Sequence, residues 1–106
     1  MEDINIVEVY DNFSITEAVS LEKLGLCDQG KTIAFLERNH KAVNASGGLK
    51  AHGNSFSVNP LRQIIEIAEQ LKGNSGERQV PNAKVGLAMS LGLMEQCYTT
   101  LIKKKE

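Results

Sequence analysis

Asn44-Ala45-Ser46-Gly47-Gly48-Leu49-Lys50-Ala51-His52-Gly53-Asn54-Ser55, running on to Asn59-Pro60-Leu61-Arg62, begins as a Gly-rich loop and ends at a helix start. The adjacent glycines Gly47 and Gly48 let a backbone turn sharply or approach a ligand closely. Asn59 is a favoured helix N-cap, and Pro60 fits the first helical position behind it. The stretch therefore predicts a rigid polar loop delivered to the positive end of a helix, a geometry that active sites use.

Downstream, a helix is expected over Leu61–Leu71. Leu61, Ile64, Ile65, Ala68 and Leu71 lie on one side, with Arg62, Glu66, Gln70 and Lys72 mostly opposite. Gly73-Asn74-Ser75-Gly76 ends it. Ala83–Met89 alternates as a strand with one covered face, Leu91-Gly92-Leu93 turns, and Gln96–Ile102 makes a last strand. So short a connection makes these two strands antiparallel.

Upstream, Ile4–Tyr10 is apolar and β-branched. It reads as a strand buried on both faces, which favours a mostly parallel sheet. Ser14-Ile15-Thr16-Glu17 matches a capping box, and a helix should follow to about Leu24, closed by Gly25. Residues 27–41 leave a short helix and a strand equally open. The expected order is strand, helix, loop, helix, strand, strand: an α/β chain with a mixed sheet.

Several of these motifs together resemble the C-terminal part of the thiolase superfamily, in the branch of the sterol-carrier-protein thiolases, or non-specific lipid-transfer proteins. The family pattern is roughly N-x-S-G-G-L-x-x-x-G-H-P, a helix ending Q-L-x-G, then G-E-R-Q-V. This chain carries Asn44 to Ser55, then Gln70-Leu71-Lys72-Gly73, then Gly76-Glu77-Arg78-Gln79-Val80. Glu8-Val9-Tyr10-Asp11-Asn12-Phe13 and Leu24-Gly25-Leu26 extend the likeness over nearly all of the sequence. The resemblance implies one partial thiolase-like C-terminal domain over residues 1–106, with the N-terminal domain that holds the nucleophilic cysteine lying elsewhere, so that the chain is expected to be a fragment or one piece of a split protein. The implied partner is that N-terminal domain or a second subunit.

Bulk properties narrow the field. The 106 residues suffice for one small domain, and 42% hydrophobic with 24% charged content is ordinary for a globular protein. A net charge of −1 implies no broad affinity for nucleic acid or anionic membrane. No apolar run approaches the roughly 18 residues of a membrane span, and Met1-Glu2-Asp3 lacks the start of a signal peptide. Cys27 and Cys97 are expected to be reduced thiols in a cytoplasmic protein. Two histidines and two scattered cysteines make no metal-ligand spacing.

Thiolases transfer acyl groups through a cysteine thioester, with a CoA thioester as substrate and no covalently bound cofactor. The resemblance assigns three polar positions to the C-terminal domain, and this chain departs at each. The G-H-P position reads Gly53-Asn54-Ser55, the H-D-x-F position reads Tyr10-Asp11-Asn12-Phe13, and the late motif near a Gly-Gly turn reads Ser90-Leu91-Gly92-Leu93. An imidazole exchanges protons at neutral pH. The Asn54 amide cannot, though it can donate a hydrogen bond to an oxyanion. Loss of a general base typically costs roughly 10²–10⁴ in rate. Tyr10 can donate a hydrogen bond or a proton. The implied catalytic set is Tyr10, Asp11 and Asn54, with Phe13, Asn44, Ser46, Gly47, Gly48 and Ser90 lining the substrate pocket. Such a set is suited to stabilising an oxyanion or enolate and poorly suited to activating a thiol.

Blander roles stand beside these. Tyr10 can be core with its hydroxyl at the rim, and Asp11 a turn-former. His52 falls where the family varies, one residue before Gly53. Two function classes follow: the pocket-forming portion of a thiolase-like acyl-CoA acyltransferase, or a non-catalytic acyl-CoA or lipid-binding subunit. A tyrosine at position 10 also resembles a thiolase-like subgroup that performs retro-aldol cleavage of steroid side chains, here acting with a partner. Finally, Ile4–Val9 lacks the strands that flank it in a full thiolase domain. Its edge is expected to be unpaired, and the chain is therefore expected to self-associate as a homo-oligomer.

Overall fold

The computed structural model describes residues 3–93 and 96–105. Strand β1 (Ile6–Glu8) leads to helix α1 (Ser14–Lys23), α2 (Thr32–Asn39), the one-turn α3 (Gly48–His52), α4 (Asn59–Lys72), then β2 (Val85–Leu91) and β3 (Cys97–Lys103). The sheet order is β1-β2-β3. β1 runs parallel to β2, with Val7 beside Leu87, and β2 runs antiparallel to β3 from Val85↔Lys103 to Leu91↔Cys97. The fold is thus α/β with a mixed sheet. It matches the expected order, with α2 settling the open stretch as a helix and α3 added inside the central loop. Among the described residues no helix is long and apolar enough to cross a membrane.

Strand alternation divides the core in two. Val7, Val9, Leu87 and Met89 face Leu21 of α1, with Leu24, Leu26, Phe35 and Leu36 packed around them. Ile6 and Ala88 face Ile67 and Leu71 of α4. Close approach of α4 requires glycine at position 86, since a Cβ there would strike the Ile67 side chain. β2 is consequently covered on both faces, where the alternating pattern predicted one.

α1 ends as expected. Gly25 takes φ +71°, its amide reaches Glu22 O at 3.0 Å, and the Leu26 amide reaches Leu21 O at 3.0 Å, which together form a Schellman motif. Its start differs from expectation. Phe13 is the N-cap residue with no side-chain cap, so the capping box does not form. The Ser14 hydroxyl instead accepts a 3.3 Å bond from Lys50 Nζ, and Glu17 accepts one from Asn44 Nδ2 at 2.8 Å.

Asn59 is likewise not a cap. A 3₁₀ turn over Phe56–Val58 runs straight into α4, and Asn59 is its first residue, fully buried. The buried face of α4 also corrects the pattern reading. Asn59, Gln63, Glu66, Ile67, Gln70 and Leu71 face inward, while Leu61 and Ile65 are 57% and 54% exposed. The cause is the surface beneath. The sheet offers Glu8, Gly86 and Ser90 there, and glutamines reach backbone partners that leucines cannot. Gln63 Nε2 donates to Met89 O at 3.0 Å, Gln70 Nε2 donates to Arg78 O at 2.8 Å, and Gln70 Oε1 accepts from Val80 N at 2.8 Å.

The expected open edge on the first strand is closed. The Val7 amide donates to Ala42 O, and the Val7 carbonyl accepts from the Asn44 amide, both at 2.8 Å. Val9 N donates to Asn44 Oδ1 at 2.9 Å. The segment around Val43 thus replaces the flanking strand.

Candidate functional site

Tyr10 follows β1 directly and is 9% exposed, at the carboxyl end of the strand where ligands of open α/β sheets bind. The loop after α3 returns over it. Asn54 Nδ2 donates to Tyr10 Oη at 2.8 Å. The Asn54 amide is oriented by its other end: Oδ1 accepts from Asn59 Nδ2 at 2.6 Å and from Phe56 N at 3.2 Å. Asn59 in turn accepts from the Ser55 amide at 3.1 Å. Because the phenol oxygen accepts the bond from Asn54, its own proton is left for another acceptor. Among the described residues none takes it.

Asp11 is 4% exposed, and its Oδ1 accepts from the Leu49 amide at 2.7 Å. It lies directly under Gly48 (φ +63°), where a Cβ would collide with the carboxylate. Glycine at position 48 is therefore required by close approach as well as by conformation. Gly47, at φ +91°, serves the same turn.

Asn44 and Ser46, from the sequence-derived set, make contacts that hold the loop. Asn44, in a left-handed conformation (φ 48°), splits its amide between Val9 N and Glu17. Ser46 gives its amide (3.0 Å) and hydroxyl (2.6 Å) to the Glu8 carboxylate, and that hydroxyl accepts from Gly48 N at 3.1 Å. His52 Nε2 lies 2.7 Å from Ser46 O, so it is the proton-bearing nitrogen and a brace. Phe13 stands 67% exposed at the start of α1. Ser90 is 3% exposed, next to the Met89 carbonyl that Gln63 grips, and its Oγ has no partner among the described residues.

Sequence reasoning missed the layer behind the loop. Glu8 is 1% exposed on the α4 face of the sheet. Burial pushes its carboxyl above the ordinary carboxylate range, aided by the nearby Glu66 charge and opposed by the Ser46 bonds and by Arg62. Arg62 donates to Gly48 O at 3.1 Å and so ties α4 to the Gly-Gly turn. A signal was present: Glu8 is the one charged residue in the Ile4–Tyr10 run expected to be buried on both faces.

Neither cysteine bonds to the Tyr10–Asn54 pair. Cys27 Sγ rests 3.7 Å from Thr32 Oγ1, and Cys97 is exposed on β3. Among the described residues no three His, Cys, Asp or Glu side chains gather as a metal set.

The first strand of the mixed sheet thus delivers Tyr10-Asp11 beneath the Gly-Gly loop. The family model described as "Thiolase C-terminal domain-like" matches residues 1–105, and the chain belongs to that family. It is similar to rabbit (Oryctolagus cuniculus) sterol carrier protein 2, with 40% identity over 95% of this chain and 20% of the relative. It is also similar to the acetyl-CoA acetyltransferase of Methanothermobacter thermautotrophicus, at 36% identity over 85% of this chain and 25% of the relative. A third relative, the non-specific lipid-transfer protein-like 2 of Caenorhabditis elegans, is 33% identical over 86% of this chain and 24% of its own length. The chain thus spans about a fifth to a quarter of the curated relatives it matches.

Proposed function

We propose that this chain is the pocket-forming C-terminal portion of a thiolase-like acyl-CoA acyltransferase, with the Tyr10–Asn54 pair binding the carbonyl oxygen of a CoA thioester. The observation that carries this reading is the 2.8 Å bond from Asn54 Nδ2 to Tyr10 Oη, which leaves the phenol proton to donate. As a thioester carbonyl is attacked or enolised, negative charge grows on its oxygen. A fixed donor aimed there stabilises the transition state more than the ground state. Asn59 and the Phe56 amide hold Asn54, so little reorganisation is needed when the charge develops. Asp11 fixes the loop through Leu49 and acts as a positioning residue.

The nucleophile comes from the partner domain or subunit. Asn54 cannot take a proton from a thiol, so this portion contributes electrostatic stabilisation and no base. That same feature favours the second reading, a subunit that binds acyl-CoA without turning it over.

Calorimetric titration with acetyl-CoA tests the proposal. Saturable binding is expected, weakened about two- to twelvefold by Tyr10→Phe, the equivalent of one neutral hydrogen bond of about 0.5–1.5 kcal/mol. Free CoA should bind the wild type and the variant alike. Equal thioester binding by both would overturn the assignment. The chain alone should not thiolyse acetoacetyl-CoA; turnover above a heat-killed control that Asn54→Ala abolishes would contradict it.

A further inference from the structure

We propose that β3 is a docking edge for a second copy of this chain, paired antiparallel about Thr100 so that two three-stranded sheets become one. The hydrogen-bond phase of β3 carries the inference. Gly92 N donates to Gln96 O at one end of the β2–β3 ladder, and Lys104 N donates to Lys84 O at the other, both at 2.8 Å. Antiparallel ladders alternate. In the register Leu91↔Cys97 to Val85↔Lys103, Tyr98, Thr100 and Ile102 therefore turn their amides and carbonyls toward β2. Cys97, Thr99, Leu101 and Lys103 turn theirs outward, where no described residue meets them.

That edge is unprotected over most of its length, its charges being confined to Lys103 and the residues after it. Cys97-Tyr98-Thr99-Thr100-Leu101-Ile102 contains no charge, proline or glycine, and its residues favour strands. Tyr98 and Leu101 are 57% and 63% exposed.

The strand is also complementary to itself. Pairing about Thr100 sets Cys97 against Lys103 of the other copy and Thr99 against Leu101, so every outward amide and carbonyl from Cys97 to Lys103 is paired in both copies. Tyr98 lies beside Ile102 and Thr100 beside Thr100, both favourable cross-strand pairs. Charge selects this orientation. Antiparallel pairing sends Lys103-Lys104-Lys105 of the two copies to opposite ends, whereas parallel pairing would stack them.

The test is light scattering of the full chain over a concentration series, followed by two variants. A species near twice the 11.6 kDa chain mass is expected at the upper end. Leu101→Lys, at an exposed side chain, should leave the far-ultraviolet circular dichroism unchanged and weaken the dimer by at least about tenfold. In a Cys27→Ser, Cys97→Ser background, Thr100→Cys should oxidise to a covalent dimer, because non-hydrogen-bonded antiparallel partners approach to about 4.5 Å between Cα atoms. Tyr98→Cys, facing Ile102, should not. A monomer throughout, a dimer indifferent to Leu101→Lys, or equal cross-linking at both positions would overturn the proposal.

Discussion

The two faces of the sheet are built from different materials. On the α1 face, Val7, Val9, Leu87 and Met89 meet Leu21 in an apolar core that needs only shape. On the α4 face, a small apolar cluster around Ile67 continues into Glu8, Asn59, Gln63, Glu66 and Gln70, all buried and polar. Burying polar groups is costly unless they are hydrogen-bonded, and their bonds fix geometry. Most of these groups are bonded, while Gln63 Oε1 and Arg62 Nη2 have no partner among the described residues. The polar face holds the loop through Glu8 to Ser46, Arg62 to Gly48 and Asn59 to Asn54, while α1 adds Glu17 to Asn44 and Ser14 to Lys50. Apolar packing thus dominates the α1 side of the sheet, and buried polar contacts dominate the α4 side.

Substitutions should separate the two faces, beginning with the largest effect. Leu21→Ala, at a fully buried position, should destabilise by about 2–5 kcal/mol in denaturant unfolding, with thioester affinity intact wherever the chain remains folded. Gln70→Ala should cost about 1–3 kcal/mol, because it strands the Arg78 carbonyl and the Val80 amide. Equal costs for Gln70→Ala and an exposed substitution such as Glu37→Ala would erase the contrast between the faces. Gly48→Ala should destabilise by more than about 1 kcal/mol, from its left-handed backbone and the Asp11 carboxylate beneath it. It should also release the Leu49 amide, read as faster hydrogen exchange there.

The smallest effect is one of pH. Burial raises the Glu8 carboxyl above its ordinary value of 4.5, so the folded chain binds that proton more tightly than the unfolded chain. The contribution is therefore complete below about that value and is lost as pH rises through the raised folded one. Glu8→Gln should flatten stability across that window, as measured by urea titrations at several pH values. An unchanged slope would mean that Glu8 is not the group responsible.

The fold was legible wherever a local rule acted alone. The alternation of β2, the apolar run of β1 and the glycine after α1 each specified their element. The α4 face was misread because Leu61, Ile64 and Ile65 outweigh Gln63 and Gln70 in any hydrophobic count. Only the tertiary fold shows that backbone partners wait beneath the glutamines, the Met89 carbonyl for Gln63 and the Arg78 carbonyl and Val80 amide for Gln70. The capping box failed for a related reason: Lys50 and Asn44, far away in sequence, claim Ser14 and Glu17. The proximity of Tyr10 and Asn54 could be expected from the family motifs. The support from Asn59 and Glu8 could not, since both depend on tertiary contacts.

Isotope-edited infrared spectroscopy of acetyl-CoA labelled with ¹³C at its carbonyl reads the central claim directly. On binding to the wild-type chain, the carbonyl stretch should move to lower frequency, as a hydrogen bond from the Tyr10 hydroxyl polarises the bond. With Tyr10→Phe at saturating ligand it should return toward its frequency in an apolar solvent. A carbonyl band that is the same in the two proteins would contradict the assignment of the Tyr10–Asn54 pair as the thioester-binding site.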